Sequence, residues 1–157
     1  DVTVIGSALL LPLPAPDRGQ VGPGGGYGQS DSEIEQIAVR IARQYETNRG
    51  AAVKSVEQDH VGFDLLSLRG LERRCIEVKG RAGVARVELT WSEFAKSQEL
   101  GDDYWLYVVL DCATPSPRLY RVRNPARTLA TFWQPSLDVR FRVDPEPVID
   151  ASLGSPE

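Results

Sequence analysis

The sequence predicts an α+β domain whose core runs helix, three strands, helix, strand, and four observations carry that prediction. Apolar residues recur at helical spacing across residues 34–45, and strand-like runs then crowd residues 51–90. A capped second helix follows. After it, YWLYVVLD at 104–111 is apolar almost throughout, as a central strand buried on both faces must be. The 157 residues suit one domain, and a hydrophobic content of 41% is enough for a real core.

Residues 1–11 read as a short apolar strand, the end of a preceding domain. PLPAPDRGQVGPGGGYGQ, residues 12–29, is a Pro- and Gly-rich linker without periodicity, expected to be mobile. Its glycines are followed by no GK[ST], and no strand leads directly into them, so a phosphate loop is set aside. The domain proper spans 30–144. Ser30 or Asp31 caps the first helix, with Glu33 and Glu35 in the first turn, where the helix dipole favours acids. Ile34, Ile37, Ala38, Ile41, Ala42 and Tyr45 form its buried face, and Gly50 closes it. A strand is expected at 51–58. The runs 63–68 and 74–79 form a hairpin turning at Gly70, and another short strand covers 84–90. Thr90 and Glu93 make a capping box for the helix WSEFAKSQEL, which Gly101 ends. Beyond the central strand, PRLYRVRN at 117–124 alternates like a half-exposed strand, ARTLATFW reads as a short helix, and LDVRFRVD at 137–144 as an edge strand. Residues 145–157 are Pro-rich and read as a flexible tail.

No run approaches the roughly 18 apolar residues that span a membrane. The opening DVTVIGSALLLPLPAP lacks a basic leader, so it does not read as a signal peptide, and a cytoplasmic location is expected. The chain has no Met, which suggests a piece of a longer protein. Cys75 and Cys112 lie far apart in apolar runs and are expected to be free buried thiols. A net charge of −4 argues against a broadly basic surface, yet Arg69, Arg73, Arg74, Lys79, Arg81 and Arg86 cluster against only Glu72 and Glu77. A solvated charged face explains such a cluster; so does a positive rim for phosphate contact around an acidic centre. Arg73, Arg74, Arg81 and Arg86, with Trp91 as a stacking surface, are the nucleic-acid candidates.

A turn centred on Gly70 and Leu71 places Asp64 opposite Glu77 on one sheet face, with side chains about 5 Å apart. Glu77 and Lys79 share that face, while Ile76 and Val78 point into the core. Two opposed carboxylates destabilise a sheet unless a proton or cation sits between them. The obvious cation is Mg²⁺ or Mn²⁺, which prefers hard oxygen ligands, and the Val78 carbonyl is a further donor. This set matches the needs of phosphodiester hydrolysis: carboxylates hold the ion, and a lysine positions water or offsets developing charge. The plain alternative is a solvent-facing Glu77–Lys79 pair with Asp64 at a strand start. Ser67 and Ser92 have no His partner, so serine nucleophile chemistry is unsupported. His60, the only histidine, falls close to the same site.

GFD at 62–64, followed twelve residues later by EVK at 77–79 and preceded by a helix bearing glutamates, resembles the PD-(D/E)XK superfamily of restriction-endonuclease-like nucleases. More narrowly, EQIA, YE, GFDL, IEVK, VELT, EF, DDYWLYVV and Asn124–Pro125, in that order over residues 30–127, resemble the NO VEIN C-terminal-like domain of helicase-like ATPases. Phe63 stands where the superfamily has Pro. The resemblance implies a mixed central sheet flanked by helices, Asp64 and Glu77 as metal ligands, and Lys79 as the catalytic lysine. It also implies a helix glutamate completing the site, with Glu35 favoured over Glu46. A metal-dependent DNA nuclease attached to a helicase-like ATPase is the first functional expectation. The second is an inactive nuclease-fold module that binds nucleic acid or regulates the ATPase.

Overall fold

The computed structural model describes residues 30–136 and 140–152, so the strand expected at 1–11 and the linker at 12–29 lie outside the described residues. Helix α1, Asp31–Asn48, starts at Ser30: its hydroxyl accepts the Glu33 N–H, and the Glu33 carboxylate accepts the Ser30 N–H at 2.8 Å. Of the two caps the sequence offers, Ser30 is the one used. Gly50 follows the helix in the left-handed region, φ +79°, where only glycine is free of Cβ strain.

Among the described residues, eight strands follow in two sheets. The strands β1 (Ala52–Ser55), β2 (Leu65–Arg69) and β3 (Glu72–Gly80) precede β4 (Val87–Thr90) and helix α2 (Trp91–Leu100). Then come β5 (Tyr104–Leu110), β6 (Arg118–Arg123), the short helix α3 (Pro125–Thr128), β7 (Gln134–Pro135), β8 (Arg140–Val143) and α4 (Pro145–Ala151). The main sheet is mixed, in the order β1-β2-β3-β5-β6. Its neighbours are antiparallel except β3 and β5, which run parallel because α2 carries the chain back across the sheet.

Four expectations change. The strand at 84–90 leaves the main sheet, since β3 already has β2 on one edge and β5 on the other; β4 pairs with β8 instead. That makes β8 the middle strand of a second sheet, β4-β8-β7, and not an edge. β6 is not half-exposed: Leu119, Tyr120, Arg121 and Val122 are all buried, because both of its faces are covered. The expected flexible tail is, over its first part, α4. Proline fits the start of a helix, where no N–H is needed, and Val148 is wholly buried.

Two apolar clusters sandwich the main sheet. Ile34, Ala38 and Ala42 of α1 pack on Ile76, Val78, Trp105 and Tyr107. On the other face, Leu106, Val108, Tyr120 and Val122 meet Val87, Leu89 and Val148. The β-strand alternation that sends Ile76 and Val78 to α1 therefore turns Glu77 and Lys79 toward α2. Cys75 and Cys112 are free and buried, as expected.

Candidate functional site: a charged cleft at the end of β3

Register places the site. Leu65 pairs with Ile76 and Arg69 with Glu72, as a turn at Gly70 and Leu71 requires, and Gly70 supplies the positive φ of +59°. β2 begins only at Leu65, while β3 continues to Gly80, so the last residues of β3 lack a strand neighbour on that side. Asp64 fills part of the gap. Its N–H donates to the Ile76 carbonyl at 2.9 Å, and its Oδ2 accepts the Val78 N–H at 2.8 Å. A strand residue's carbonyl leaves on the same side as its own N–H, so the Val78 carbonyl faces this edge as well.

The result is a cleft of about 440 Å³ whose lining includes Glu35, Asp64, Glu77, Val78, Lys79 and Glu93. Glu77 is only 3% exposed. Lys79 Nζ lies 2.6 Å from Glu77 Oε1 and 2.9 Å from Glu93 Oε2. Burial pushes the Asp64 carboxyl up to about 6, against the opposing pull of the Val78 N–H and the Lys79 charge. Burial likewise raises Glu77 well above the usual range; Lys79 opposes this, and Asp64 and Glu93 add to it. For Lys79 burial favours the neutral amine, but Glu77 and Glu93 outweigh it and hold the ammonium above its ordinary value. Several carboxylates thus share one ammonium, and the cleft favours uptake of further positive charge.

Among the described residues, no group of three or more His, Cys, Asp or Glu side chains is arranged to hold a metal ion. Two carboxylates and a carbonyl still suit a hard divalent cation, because Mg²⁺ keeps several waters and takes one or two carboxylates together with phosphate oxygens.

The structure separates the two helix glutamates. Glu35 lines the cleft from just past the first turn of α1 and is exposed. Glu46 lies at the other end of the hairpin, wholly buried and bonded to Ser67 (2.6 Å), Arg49 (2.6 Å), Arg74 (3.2 Å) and Tyr107. The basic candidates scatter. Arg74, expected to meet phosphate, is 8% exposed and lies 4.0 Å over the Trp105 ring, held by Glu46 and Glu72; its charge is committed inside the fold. Arg73 pairs with Asp103 and Arg86 with Asp144. Arg81 lines the cleft, its guanidinium donating to the carbonyls of Arg86 (2.6 Å) and Gly80 (2.8 Å). Trp91 is 57% exposed beside Thr90, with Phe141 stacked against it at 5.7 Å. His60 borders an adjoining hollow lined also by Asp64, Glu77 and Glu93.

Glu93 is the residue that sequence reasoning missed. Its capping box accounted for it completely, and nothing local to α2 shows that β3 brings Lys79 to the same carboxylate.

Residues 34–122 match the family described as Protein NO VEIN, C-terminal. The chain belongs to that family. The span shared with the NO VEIN C-terminal family runs from Ile34 in α1 to Val122 in β6, so it takes in the cleft residues Glu35, Asp64, Glu77, Val78, Lys79 and Glu93 and ends before α3, the strands β7 and β8, and α4. No curated protein matches the chain. Among the described residues, no helix is long and apolar enough to cross a membrane.

Proposed function

We propose that this NO VEIN C-terminal domain is a PD-(D/E)XK, restriction-endonuclease-like domain that hydrolyses DNA phosphodiester bonds with Mg²⁺ or Mn²⁺. In this reading it serves a larger cytoplasmic protein with a helicase-like ATPase region. The observation that carries the proposal is the meeting of Asp64 and Glu77 beside Lys79 in one cleft, both carboxyls raised by burial. The topology of the main sheet supports it: α1, the three antiparallel strands β1–β3 and, after β4 has left for the second sheet, α2 leading to β5 parallel to β3. Asp64, Glu77 and the Val78 carbonyl would hold the cation, and Glu35, which lines the same cleft, would act through water. When bound, the cation polarises the phosphate and lowers the pKa of a coordinated water. Lys79 holds positive charge where the phosphate's negative charge grows, or orients the attacking water. Arg81, which lines the cleft, and the exposed Trp91, next in the chain to the lining residue Thr90, would meet the polynucleotide.

A second reading has an observation of its own. Lys79 is tied to Glu77 at 2.6 Å, and the described residues lack a three-ligand set. Both favour a nuclease-fold module that binds without cutting.

Cleavage of linear, nicked and single-stranded DNA with Mg²⁺ and Mn²⁺ decides between them. Metal-dependent cutting that Lys79→Ala abolishes supports the nuclease. Binding with no cutting under any metal supports the module. A parallel melt is expected to show Mn²⁺ raising the wild-type melting temperature by roughly 3 °C at tenfold over its Kd, and Glu77→Gln removing that rise.

A further inference from the structure

Glu93 is anchored independently of the cleft it lines. As the third residue of α2, its Oε2 accepts the Thr90 N–H at 2.9 Å, in the first turn where the helix dipole favours a carboxylate. The same oxygen lies 2.9 Å from Lys79 Nζ, which is also 2.6 Å from Glu77 Oε1. One ammonium therefore bridges a sheet carboxylate and a helix carboxylate. The Lys79 side chain is 18% exposed, so releasing Glu77 would strand its charge unless a second anion remained in place. A divalent cation and an ammonium repel strongly when they share one carboxylate in a partly buried cleft.

We propose that Glu93 is a positioning residue that takes over Lys79 when a divalent cation occupies Asp64 and Glu77. The ammonium leaves Glu77 and stays on Glu93, so Lys79 remains beside the cation without competing for its ligand. This inference rests on the metal-site reading of Asp64 and Glu77. Glu93 is not itself a ligand in this arrangement, in keeping with the lack of a three-acid metal group among the described residues.

Mn²⁺ affinity, read from the electron paramagnetic resonance signal of free Mn²⁺, tests the exchange in a double-mutant cycle of Glu93→Gln and Lys79→Met. Glutamine retains the capping box, so α2 stays capped. With Lys79 present, Glu93→Gln is expected to weaken Mn²⁺ binding about tenfold, because the ammonium then stays on Glu77. Lys79→Met is expected to bind Mn²⁺ at least as tightly as the wild type, and Glu93→Gln added to it to change affinity less than about twofold. An equal loss in both backgrounds overturns the proposal, since Glu93 would then act on the cation directly. Unchanged affinity in Glu93→Gln overturns it as well. If the wild type binds no Mn²⁺, the metal reading itself fails, and this inference with it.

Discussion

The two ends of the β2–β3 hairpin bury acidic side chains in opposite ways. At the turn end, Glu46 is wholly buried and Glu72 is partly so, and Arg49 and Arg74 reach both of them. Ser67 and Tyr107 complete the bonding around Glu46. Glu72 is held below the usual carboxylate range: burial works against this, but the bonds from Arg74 and Arg49 outweigh it. At the open end, Glu77 is almost as buried, yet Lys79 must answer both Glu77 and Glu93 while Asp64 stands beside them. The Asp64 and Glu77 carboxyls there are pushed up. Burial of a charge therefore does not by itself mark a functional site. The closed end balances its charges and stabilises the hairpin; the open end leaves an imbalance that a proton or a cation relieves.

The largest expected effect lies at the closed end. Glu46→Ala leaves Arg74 buried with part of its partner set gone and should cost about 3–5 kcal/mol in urea denaturation. A cost below about 1 kcal/mol would mean the network does not hold the hairpin to α1.

The open end should respond to pH in the metal-free protein. The folded Asp64 carboxyl titrates at about 6, above its ordinary 3.8, so folding favours its protonated form. Its contribution is fully present below about pH 4 and is lost as pH rises through 6. Relative to Asp64→Asn, the wild type should lose on the order of 2 kcal/mol between pH 4 and 7. A difference that stays flat over that range would show that solvent reaches the carboxyl freely, and the contrast between the two ends would collapse.

The smallest effect sharpens the edge of the closed network. Arg73 neighbours Arg74 in the chain, but its bridge to Asp103 is about half exposed on each side. Arg73→Ala should change stability by no more than about 0.5 kcal/mol in the same urea titration.

Local chemistry determined what the sequence alone could show. The Thr90–Glu93 capping box, the glycines at 50, 70 and 101, and the hairpin register depend on residues a few positions apart, and each stands in the structure where the sequence places it; between Ser30 and Asp31 as the first cap, the sequence left the choice open. The alternation along β3, which sets Glu77 and Lys79 against Ile76 and Val78, follows from the strand's period of two. Tertiary packing decided the rest. Glu35 and Glu46 look alike along α1, and only the approach of Arg74 and Tyr107 from residues far along the chain makes one structural and leaves the other at the cleft. The departure of β4 to β8 depends on which edges of β3 are already taken, a property of the whole sheet. α4 forms from a proline-rich segment because Val148 finds a core to enter. Glu93 joins Lys79 across the space between a helix and a strand, and spacing along the chain carries no trace of such a contact.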